Sequence, residues 1–332
     1  MEKVRWGILS TANIAQTMVI PAIHRSKNAE VIGIASRSIK AKEVASQLNI
    51  PKSYDTYEAL LQDPDIDAVY IPLPNHLHKK WVIEAANHGK HVLCEKPAAL
   101  NAEETIEMIK VCREKNVKFM EAFMYQFHPQ HKRVREIIAS GEIGEVKLMR
   151  SSFSFYLDQR EENIRMNKEM GGGSIYDIGC YCIHAIRNVL GSEPSKIEVY
   201  GEIDPLYGVD MSAIAYLKLK NGVNAIFDCS FDMVLRQQYE IVGTEGQIFV
   251  PRSFRPDLNG GEGVIIVQRE TEERTEKIPG DIYVLEVEHF SEIILEDGQP
   301  FYSAENVIQN MRVIDACYQS IKNNVVNLAN SN

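Results

Sequence analysis

Short apolar runs alternate with amphipathic segments along the first 122 residues. The runs at residues 4–9, 29–35, 66–72, 91–94 and 118–122 have the length of buried strands. Two of the segments between them carry apolar residues at helical spacing: Leu77, Trp81, Val82, Ala85 and Ala86 in one, and Ile106, Ile109 and Cys112 in the other. Because alternating strands and helices form βαβ units, this pattern predicts an α/β domain with a doubly wound parallel sheet.

Beyond residue 122 the pattern changes to strands with few helices between them. Strand-like runs occur at residues 145–155, 197–200, 212–219, 224–230, 238–242, 247–250 and 264–267. The charged stretch 268–277 is typical of a solvated hairpin at a sheet edge. One helix is predicted after the glycines at 171–173, and a C-terminal one carries Val307, Met311, Ile314, Tyr318 and Ile321. We therefore predict a dinucleotide-binding domain over 1–122 and an α+β domain with a large, mostly antiparallel open sheet over 123–332.

Composition narrows the class of partner. The 332 residues are 45% hydrophobic and 25% charged, with a formal net charge of -10, which favours a soluble globular protein and argues against nucleic acid or an anionic membrane. No apolar stretch has the length of a signal peptide or a membrane span, so we expect a cytoplasmic protein. Cys180 and Cys182 form a close pair, but no second cluster completes a ligand set, so no metal is expected. A small molecule remains as the partner.

The turn after the first apolar run lacks the usual dinucleotide fingerprint. The three positions at which G-x-G-x-x-G has glycine are occupied by Ser10, Ala12 and Ala15. These small residues still allow a diphosphate to approach the backbone, and Ser10, Thr11 and Asn13 can add hydrogen bonds. The predicted cofactor-binding residues here are Ser10, Thr11, Ala12, Asn13 and Ile14. Taken alone, the segment is equally compatible with a tight turn that binds nothing.

The end of the second run bears on the choice of cofactor. An NAD site usually has Asp or Glu at this point, whereas this chain has Ser36, Arg37 and Ser38. Arg37 can pair with a 2′-phosphate and the two serines can hydrogen-bond it. We predict NADP, with NAD as a possible second cofactor. An exposed arginine with no ligand is the alternative interpretation.

Five motifs together resemble the Gfo/Idh/MocA oxidoreductases, in particular the branch of NADP-dependent xylose dehydrogenases and dihydrodiol dehydrogenases. They are WGILSTANIA at 6–15, PNHLH at 74–78, EKP at 95–97, EAFMY followed by HP at 121–129, and GGGSIYDIGCY at 171–181. The resemblance covers nearly the whole chain. It implies a Rossmann domain followed by a substrate domain, and that branch tolerates the missing fingerprint glycines.

The resemblance also implies a catalytic role for Lys96. An ammonium group beside the carbon that exchanges hydride can stabilise negative charge developing on the substrate oxygen. Pro97 would hold the turn, and Glu95 would orient Lys96 or the nicotinamide. Pro72, Asn75 and His78 complete the expected cofactor set. A surface lysine at a strand end is the alternative.

Asp177, Tyr181 and His184 follow at i, i+4 and i+7 of the predicted helix and are expected to share one face. Inositol dehydrogenase relatives have histidine where this chain has Tyr181, whereas glucose-fructose oxidoreductase and dihydrodiol dehydrogenase relatives have tyrosine. A phenol has a reference pKa of about 10, so it needs a nearby cation, and Lys96 is the predicted one. Tyr181 is then the general acid/base. Asp177 either belongs to the catalytic set, where it binds substrate hydroxyls or orients a neighbour, or it caps the helix.

Further substrate candidates are Tyr125, His128, Arg165 and His184; His184 can equally be a core histidine. The predicted activity is hydride transfer between nicotinamide and a carbon of a sugar, polyol or cyclic diol. Two alternatives remain: a non-catalytic dinucleotide-sensing regulator of the same fold, and an enzyme that shuttles a tightly held cofactor between two substrates. Because an open sheet can bury one face in a subunit contact, we also expect a homodimer or homotetramer.

Overall fold

The computed structural model describes residues 2–323. Its α-helices are α1 (Ile20–Arg25), α2 (Lys40–Gln47), α3 (Tyr57–Leu61), α4 (His78–Asn87), α5 (Ala102–Glu114), α6 (Pro129–Ala139), α7 (Cys180–Leu190), α8 (Ile282–Leu295) and α9 (Ala304–Asn323). Its strands are β1 (Val4–Leu9), β2 (Ala29–Ala35), β3 (Lys52–Tyr54), β4 (Ala68–Ile71), β5 (His91–Glu95), β6 (Phe119–Ala122), β7 (Val146–Tyr156), β8 (Pro194–Ile203), β9 (Asp210–Leu219), β10 (Asn224–Ser230), β11 (Asp232–Gly243), β12 (Gly246–Val250), β13 (Glu262–Arg269) and β14 (Glu273–Pro279). Within this part of the chain, no helix is both long and apolar enough to cross a bilayer.

The described chain forms two compact units, each discontinuous in sequence. The first unit contains residues 2–127 and 281–311, and the second contains 128–280 and 312–323. This division differs from the predicted boundary between residues 122 and 123, because α8 packs in the first unit. There Trp6 Nε1 donates to Ser291 Oγ at 3.2 Å, and the Trp6 and Phe290 ring centroids are 5.8 Å apart.

The first unit is built on a six-stranded sheet of order β3-β2-β1-β4-β5-β6. Every neighbouring pair in it is parallel, and every residue of β4 and β6 is buried. The predicted doubly wound fold is therefore confirmed, and β1 and β2 begin and end at the predicted residues. Strand order reverses between β1 and β4, and the carboxyl ends of strands at such a switch point form the usual ligand crevice.

The second unit contains an eight-stranded sheet of order β14-β13-β12-β11-β7-β10-β9-β8. Its pairs are antiparallel except for β10 with β7, which is parallel. Along β9, Ala213, Ala215 and Leu217 are buried while Ile214 and Tyr216 are exposed. Along this strand, one face of the sheet is thus in the core and the other is exposed. The predicted large, mostly antiparallel sheet is confirmed. The charged hairpin is also confirmed, since β14 forms the sheet edge.

The structure corrects two details of the predicted helices. Ile106 is 40% exposed, because the buried face of α5 runs through Thr105, Met108, Ile109 and Cys112 and Ile106 lies one position beyond it. Helices α6 and α8 are absent from the prediction. The sequence of α8, IYVLEVEHFSEIIL, is apolar on most sides, so its periodicity is weak.

Candidate active site

The turn after β1 has a backbone conformation that normally requires glycine. Ser10 has φ 130°, a left-handed value, and it stands where the fingerprint has its first glycine. Its hydroxyl donates to the Pro72 carbonyl at 3.2 Å and accepts from the Ala12 amide at 3.1 Å. Ser10 therefore links the ends of β1 and β4, the two strands of the switch point. A π-helical turn, Ala15–Val19, then leads into α1.

The other residues predicted at this turn lie on or near its surface. Thr11, Ala12 and Ile14 are half-buried, and Asn13 is exposed. The Thr11 carbonyl accepts from Gln16 Nε2 at 2.7 Å and the Asn13 carbonyl from Thr17 Oγ1 at 2.9 Å. The side chains that follow the turn thus hold its backbone in place.

The three residues predicted to select the cofactor lie together at the end of β2. The hydroxyls of Ser36 and Ser38 are 3.2 Å apart. The exposed Arg37 places its guanidinium carbon 5.4 Å from the ring centroid of Tyr57 and 5.7 Å from that of Trp81. Two hydroxyls and a cation at one strand end can hold a phosphate monoester.

The Glu95-Lys96-Pro97 turn is held by contacts on several sides. The Lys96–Pro97 peptide bond is cis. Glu95 accepts a hydrogen bond from Tyr70 Oη on Oε1 and one from the Lys96 amide, at 3.2 Å, on Oε2. The Glu95 carboxyl group is thereby fixed directly beside the backbone of Lys96.

His78 is hydrogen-bonded to the same turn. Its Nδ1 lies 3.0 Å from the Pro97 carbonyl and its Nε2 lies 2.7 Å from the Leu73 carbonyl. Burial lowers the pKa of His78 to about 4, so at neutral pH the neutral ring donates to one of these two carbonyls. His78 is fully buried and contacts the turn through the Pro97 carbonyl. Asn75, also predicted to bind the cofactor, begins the half-buried 3-10 turn Asn75–Leu77.

Tyr70 and Glu286 interact with Glu95 but were not predicted as site residues. Burial, together with the charge of Glu95, raises the pKa of Tyr70 well above its ordinary value. The same two causes raise the pKa of Glu286, in α8, which is 1% exposed. Both shifts favour the protonated forms of Tyr70 and Glu286 beside the Glu95 carboxyl group. The sequence signal was a glutamate within the apolar stretch of α8.

In the second unit, the glycines at 171–173 allow two close approaches. A Cβ on Gly172 would lie 2.5 Å from the Arg165 carbonyl oxygen, and one on Gly173 would lie 2.1 Å from Asp210 Oδ1. Gly173 also has φ 119°, a value that side chains disfavour. The turn thus brings the segment carrying Arg165 and the start of β9 against the helix that follows.

Asp210 anchors the start of that helix. It is 1% exposed and accepts hydrogen bonds from Ser174 Oγ at 2.8 Å, from the Ile175 amide at 2.7 Å and from Tyr318 Oη at 2.8 Å. Sequence reasoning does not identify Asp210, because it lies 36 positions after Ser174. Its carboxylate satisfies backbone and hydroxyl donors that would otherwise be buried without an acceptor.

Near the start of this helix, Arg165 interacts with Asp177 and with Tyr181. A π-helical turn, Ile175–Gly179, precedes α7, and Arg165 Nε donates to Asp177 Oδ2 at 2.6 Å. The charge of Asp177 raises the pKa of Arg165 against the effect of burial, and Tyr181 adds to the rise. Arg165 and the Tyr181 phenol therefore interact electrostatically.

Tyr181 is 5% exposed and is held by two rings. Its centroid lies 5.4 Å from that of Phe153 and 5.6 Å from that of Phe254. Aromatic contacts of this kind restrict the ring while leaving the hydroxyl as its polar end. Tyr181 thus combines a fixed orientation with a cation within its own unit.

The remaining predicted site residues lie inside their units. His184 is fully buried, with Asn188 Nδ2 at 2.8 Å from its Nε2, and burial lowers its pKa well below the ordinary value. His128 caps α6 by accepting from the Gln130 amide at 3.2 Å. Tyr125 is 2% exposed and lies edge-on to Phe123. Of the predicted face, Asp177 is half-buried, whereas Tyr181 and His184 are buried.

Cysteines and other possible metal ligands are dispersed. Cys180 and Cys182 are both buried in α7. Among residues 2–323 there is no group of three or more His, Cys, Asp or Glu side chains that could hold a metal ion.

Two family models match this chain, one in each part of the sequence. The model described as the oxidoreductase family with an NAD-binding Rossmann fold matches residues 4–123. The model described as the GFO/IDH/MocA C-terminal domain matches residues 131–249.

Individual relatives agree with these matches. The chain is 40% identical over 319 residues to a D-xylose 1-dehydrogenase (NADP(+)) of Haloferax volcanii, covering 95% of this chain and 96% of the relative. It is 35% identical over 254 residues to a trans-1,2-dihydrobenzene-1,2-diol dehydrogenase of Xenopus tropicalis, covering 74% and 75%. Among solved structures, a 3-ketoreductase of Actinomadura kijaniata in complex with NADP and TDP-benzene superposes with a TM-score of 0.90 at 29% identity, covering 96% and 98%.

Proposed function

The chain belongs to the Gfo/Idh/MocA family of oxidoreductases, and from this premise we propose that it is an NADP-dependent dehydrogenase or reductase acting on CH–OH groups. Its substrate is a sugar, a polyol or a cyclic diol. The observation that carries the proposal is the turn at the end of β5, where Glu95, hydrogen-bonded by Tyr70, fixes the backbone of Lys96. The relatives are named as dehydrogenases and a reductase, which does not favour the alternative of a non-catalytic sensor.

The ends of β1 and β2 fit NADP. The left-handed Ser10 keeps its side chain bonded to the protein, so the backbone of the turn can approach a diphosphate. Arg37, Ser36 and Ser38 supply donors for the 2′-phosphate. When bound, the nicotinamide ring supplies or accepts the hydride. NADP is also the cofactor named for the Haloferax xylose dehydrogenase and for the Actinomadura ketoreductase complex.

Lys96 and Tyr181 are the proposed catalytic pair. In the reducing direction, the Lys96 ammonium stabilises negative charge on the substrate oxygen and Tyr181 gives that oxygen a proton. Arg165 favours the tyrosinate that remains, and Asp177 holds Arg165. Solved forms of the Actinomadura ketoreductase include a variant with tyrosine changed to phenylalanine and variants with lysine changed to alanine or glutamate, so both residue types were probed in that enzyme.

A panel of aldoses, polyols and cyclic diols with NADP, followed by the absorbance of NADPH, tests this function. With the best substrate, Lys96→Ala and Tyr181→Phe should each lower kcat by about 10²- to 10⁴-fold. The Kd for NADPH should change little, because neither change removes Arg37 or the turn at Ser10. A wild-type protein inactive on every compound, or a Lys96→Ala variant with unchanged turnover, would contradict the proposal.

We also propose that the open face of the eight-stranded sheet is covered by a second copy of the chain, giving a homodimer or homotetramer. Tyr200 and Ile214 are partners across β8 and β9 and are 64% and 58% exposed. Exposed apolar pairs on an open sheet favour subunit contact. Light scattering that gives the mass of a single chain at micromolar concentration would exclude it.

A further inference from the structure

An aromatic pair lies beside the cofactor-selecting arginine. Tyr57 is the first residue of α3 and Trp81 lies in α4. Their ring centroids are 4.8 Å apart and the planes are perpendicular. Trp81 is fully buried and Tyr57 is 8% exposed, so both rings are fixed by the core of the first unit. Neither residue belongs to any of the motifs that suggested the family.

The Arg37 guanidinium lies over both of these rings. Its distances of 5.4 Å from the Tyr57 centroid and 5.7 Å from the Trp81 centroid are within the range of cation–π attraction, which extends to about 6 Å. An exposed arginine side chain has about 2 kcal/mol of rotamer entropy to lose when it binds a ligand. Two rigid rings beneath the guanidinium reduce that cost, because the side chain is already restricted before a ligand arrives.

The helix cap at Thr56 explains the orientation of the Tyr57 side chain. Thr56 caps α3, and its hydroxyl accepts from the Ala59 amide at 3.1 Å. This cap fixes the first turn of the helix and so the direction of the Tyr57 side chain. Trp81 is fixed independently by full burial in α4. The two rings therefore come from separate helices, and sequence spacing alone does not relate them to Arg37.

The charge of Arg37 is not neutralised within residues 2–323. It forms no salt bridge with a carboxylate of the described chain, and its neighbours on the strand end are the hydroxyls of Ser36 and Ser38. Lys80 places a second cation 4.7 Å from the Trp81 ring centroid. An aromatic surface that holds a cation without cancelling its charge suits an anionic ligand, here a phosphate monoester.

We propose that Tyr57 and Trp81 are positioning residues that set the preference for NADP over NAD, by holding the Arg37 guanidinium ready for the 2′-phosphate. The inference rests on the proposed function, since it assumes that this strand end receives the ribose of the cofactor. It goes further by assigning the preference to two core aromatic residues as well as to the exposed arginine.

Tyr57 provides the sharper test, because replacing the fully buried Trp81 endangers the fold. The variant is Tyr57→Leu, and the matched control is Tyr57→Phe, which keeps an aromatic face. The Kd values for NADPH and NADH are measured by calorimetry on the purified full chain, with circular dichroism to show that each variant is folded. Tyr57→Leu should weaken NADPH binding by roughly three- to twentyfold and leave NADH binding unchanged. Tyr57→Phe should retain the wild-type ratio.

An Arg37→Ala background completes the experiment. If Tyr57 acts through Arg37, adding Tyr57→Leu to Arg37→Ala should have no further effect on either Kd. Equal weakening of NADPH and NADH by Tyr57→Leu would mean a purely structural role and would overturn the inference, as would an unchanged ratio. A wild-type protein that binds neither dinucleotide would instead refute the proposed function.

Discussion

Each unit contains a helix start with a left-handed residue followed by a π-helical turn, but the hydrogen-bond acceptors at the two helix starts differ. In the first unit, Ser10 has φ 130°, and in the second unit Gly173 has φ 119°. Each is followed within a few residues by a π-helical turn, Ala15–Val19 in one and Ile175–Gly179 in the other. Each π-helical turn then continues into an α-helix. Such turns occur often at functional sites.

The two helix starts differ in the group that accepts hydrogen bonds from their backbone amides. In the second unit the buried carboxylate of Asp210 accepts from Ser174 and from the Ile175 amide. In the first unit the Ala12 amide is bonded to the hydroxyl of Ser10, a neutral group, and the proposed cofactor brings the negative charge. A similar backbone path can thus face the proposed cofactor in one unit and, in the other, bind the buried carboxyl group of Asp210 at the start of the helix that carries the proposed catalytic residues.

Gly173→Ala should break the second helix start most severely. The new Cβ would lie 2.1 Å from Asp210 Oδ1 at a φ of 119°, so backbone strain and overpacking together should cost about 4 kcal/mol of unfolding free energy. Gly191→Ala is the control, since Gly191 has φ 58° but no atom near the added methyl group; it should cost about 1 kcal/mol. Urea unfolding measures both. Similar losses in the two variants would show that contact with Asp210 is unimportant.

Changes at Asp210 separate its acceptor role from its charge. Asp210→Ala leaves three donors without their partner and should cost about 3 kcal/mol, with a fall in kcat as Asp177 and Tyr181 shift. Asp210→Asn keeps an acceptor for the Ile175 amide and Ser174, while Tyr318 Oη can turn to accept. It should therefore stay within about 1 kcal/mol of the wild type. Unfolding free energy and kcat are measured for both, and an alanine variant as stable as the asparagine variant would contradict the anchoring role.

Ser10 should show the smallest effect. Ser10→Gly relieves the left-handed strain but loses the two side-chain hydrogen bonds, so stability should change by less than about 1 kcal/mol. Ser10→Ala keeps the strain and loses the same bonds, so it should be less stable than the glycine variant by about 1–2 kcal/mol. The Kd for NADPH of Ser10→Gly should remain close to that of the wild type. Equal stability of the two variants would show that the φ of Ser10 carries no cost.

The first unit could be predicted well from local pattern. Parallel strands buried on both faces give short apolar runs, and their carboxyl ends share one edge. Ser10, Arg37 and Lys96 could therefore be proposed as ligand-binding residues from strand positions. The contacts of Tyr57 and Trp81 with Arg37 could not, because each ring comes from a different helix. The same holds for Glu286, since α8 joins the first unit after more than a hundred intervening residues.

In the second unit, the sequence indicated which residue types could form a site but not which side chains interact with one another. The glycines at 171–173 and the spacing of Asp177 and Tyr181 indicated a site helix. The cation predicted for Tyr181 was Lys96, and that remains a prediction; the sequence contained no sign that Arg165, in the same unit, also interacts electrostatically with Tyr181. His128 and His184 remain predicted substrate candidates. Both are buried, and their burial depends on strands and helices that are distant in the chain.

By itself, the sequence determined the strand and helix types, the chemistry available at the strand ends and the family, because these depend on periodicity, residue type and short motifs. Tertiary structure decided which charges meet and which polar groups are buried: Asp210 under the second helix start, Arg165 on Asp177, Glu286 beside Glu95, and two rings under Arg37. The physical reason is the separation along the chain over which each effect acts. Hydrophobic periodicity acts over a few residues, whereas burial and electrostatic interaction depend on distances in space that bring together residues far apart in the chain.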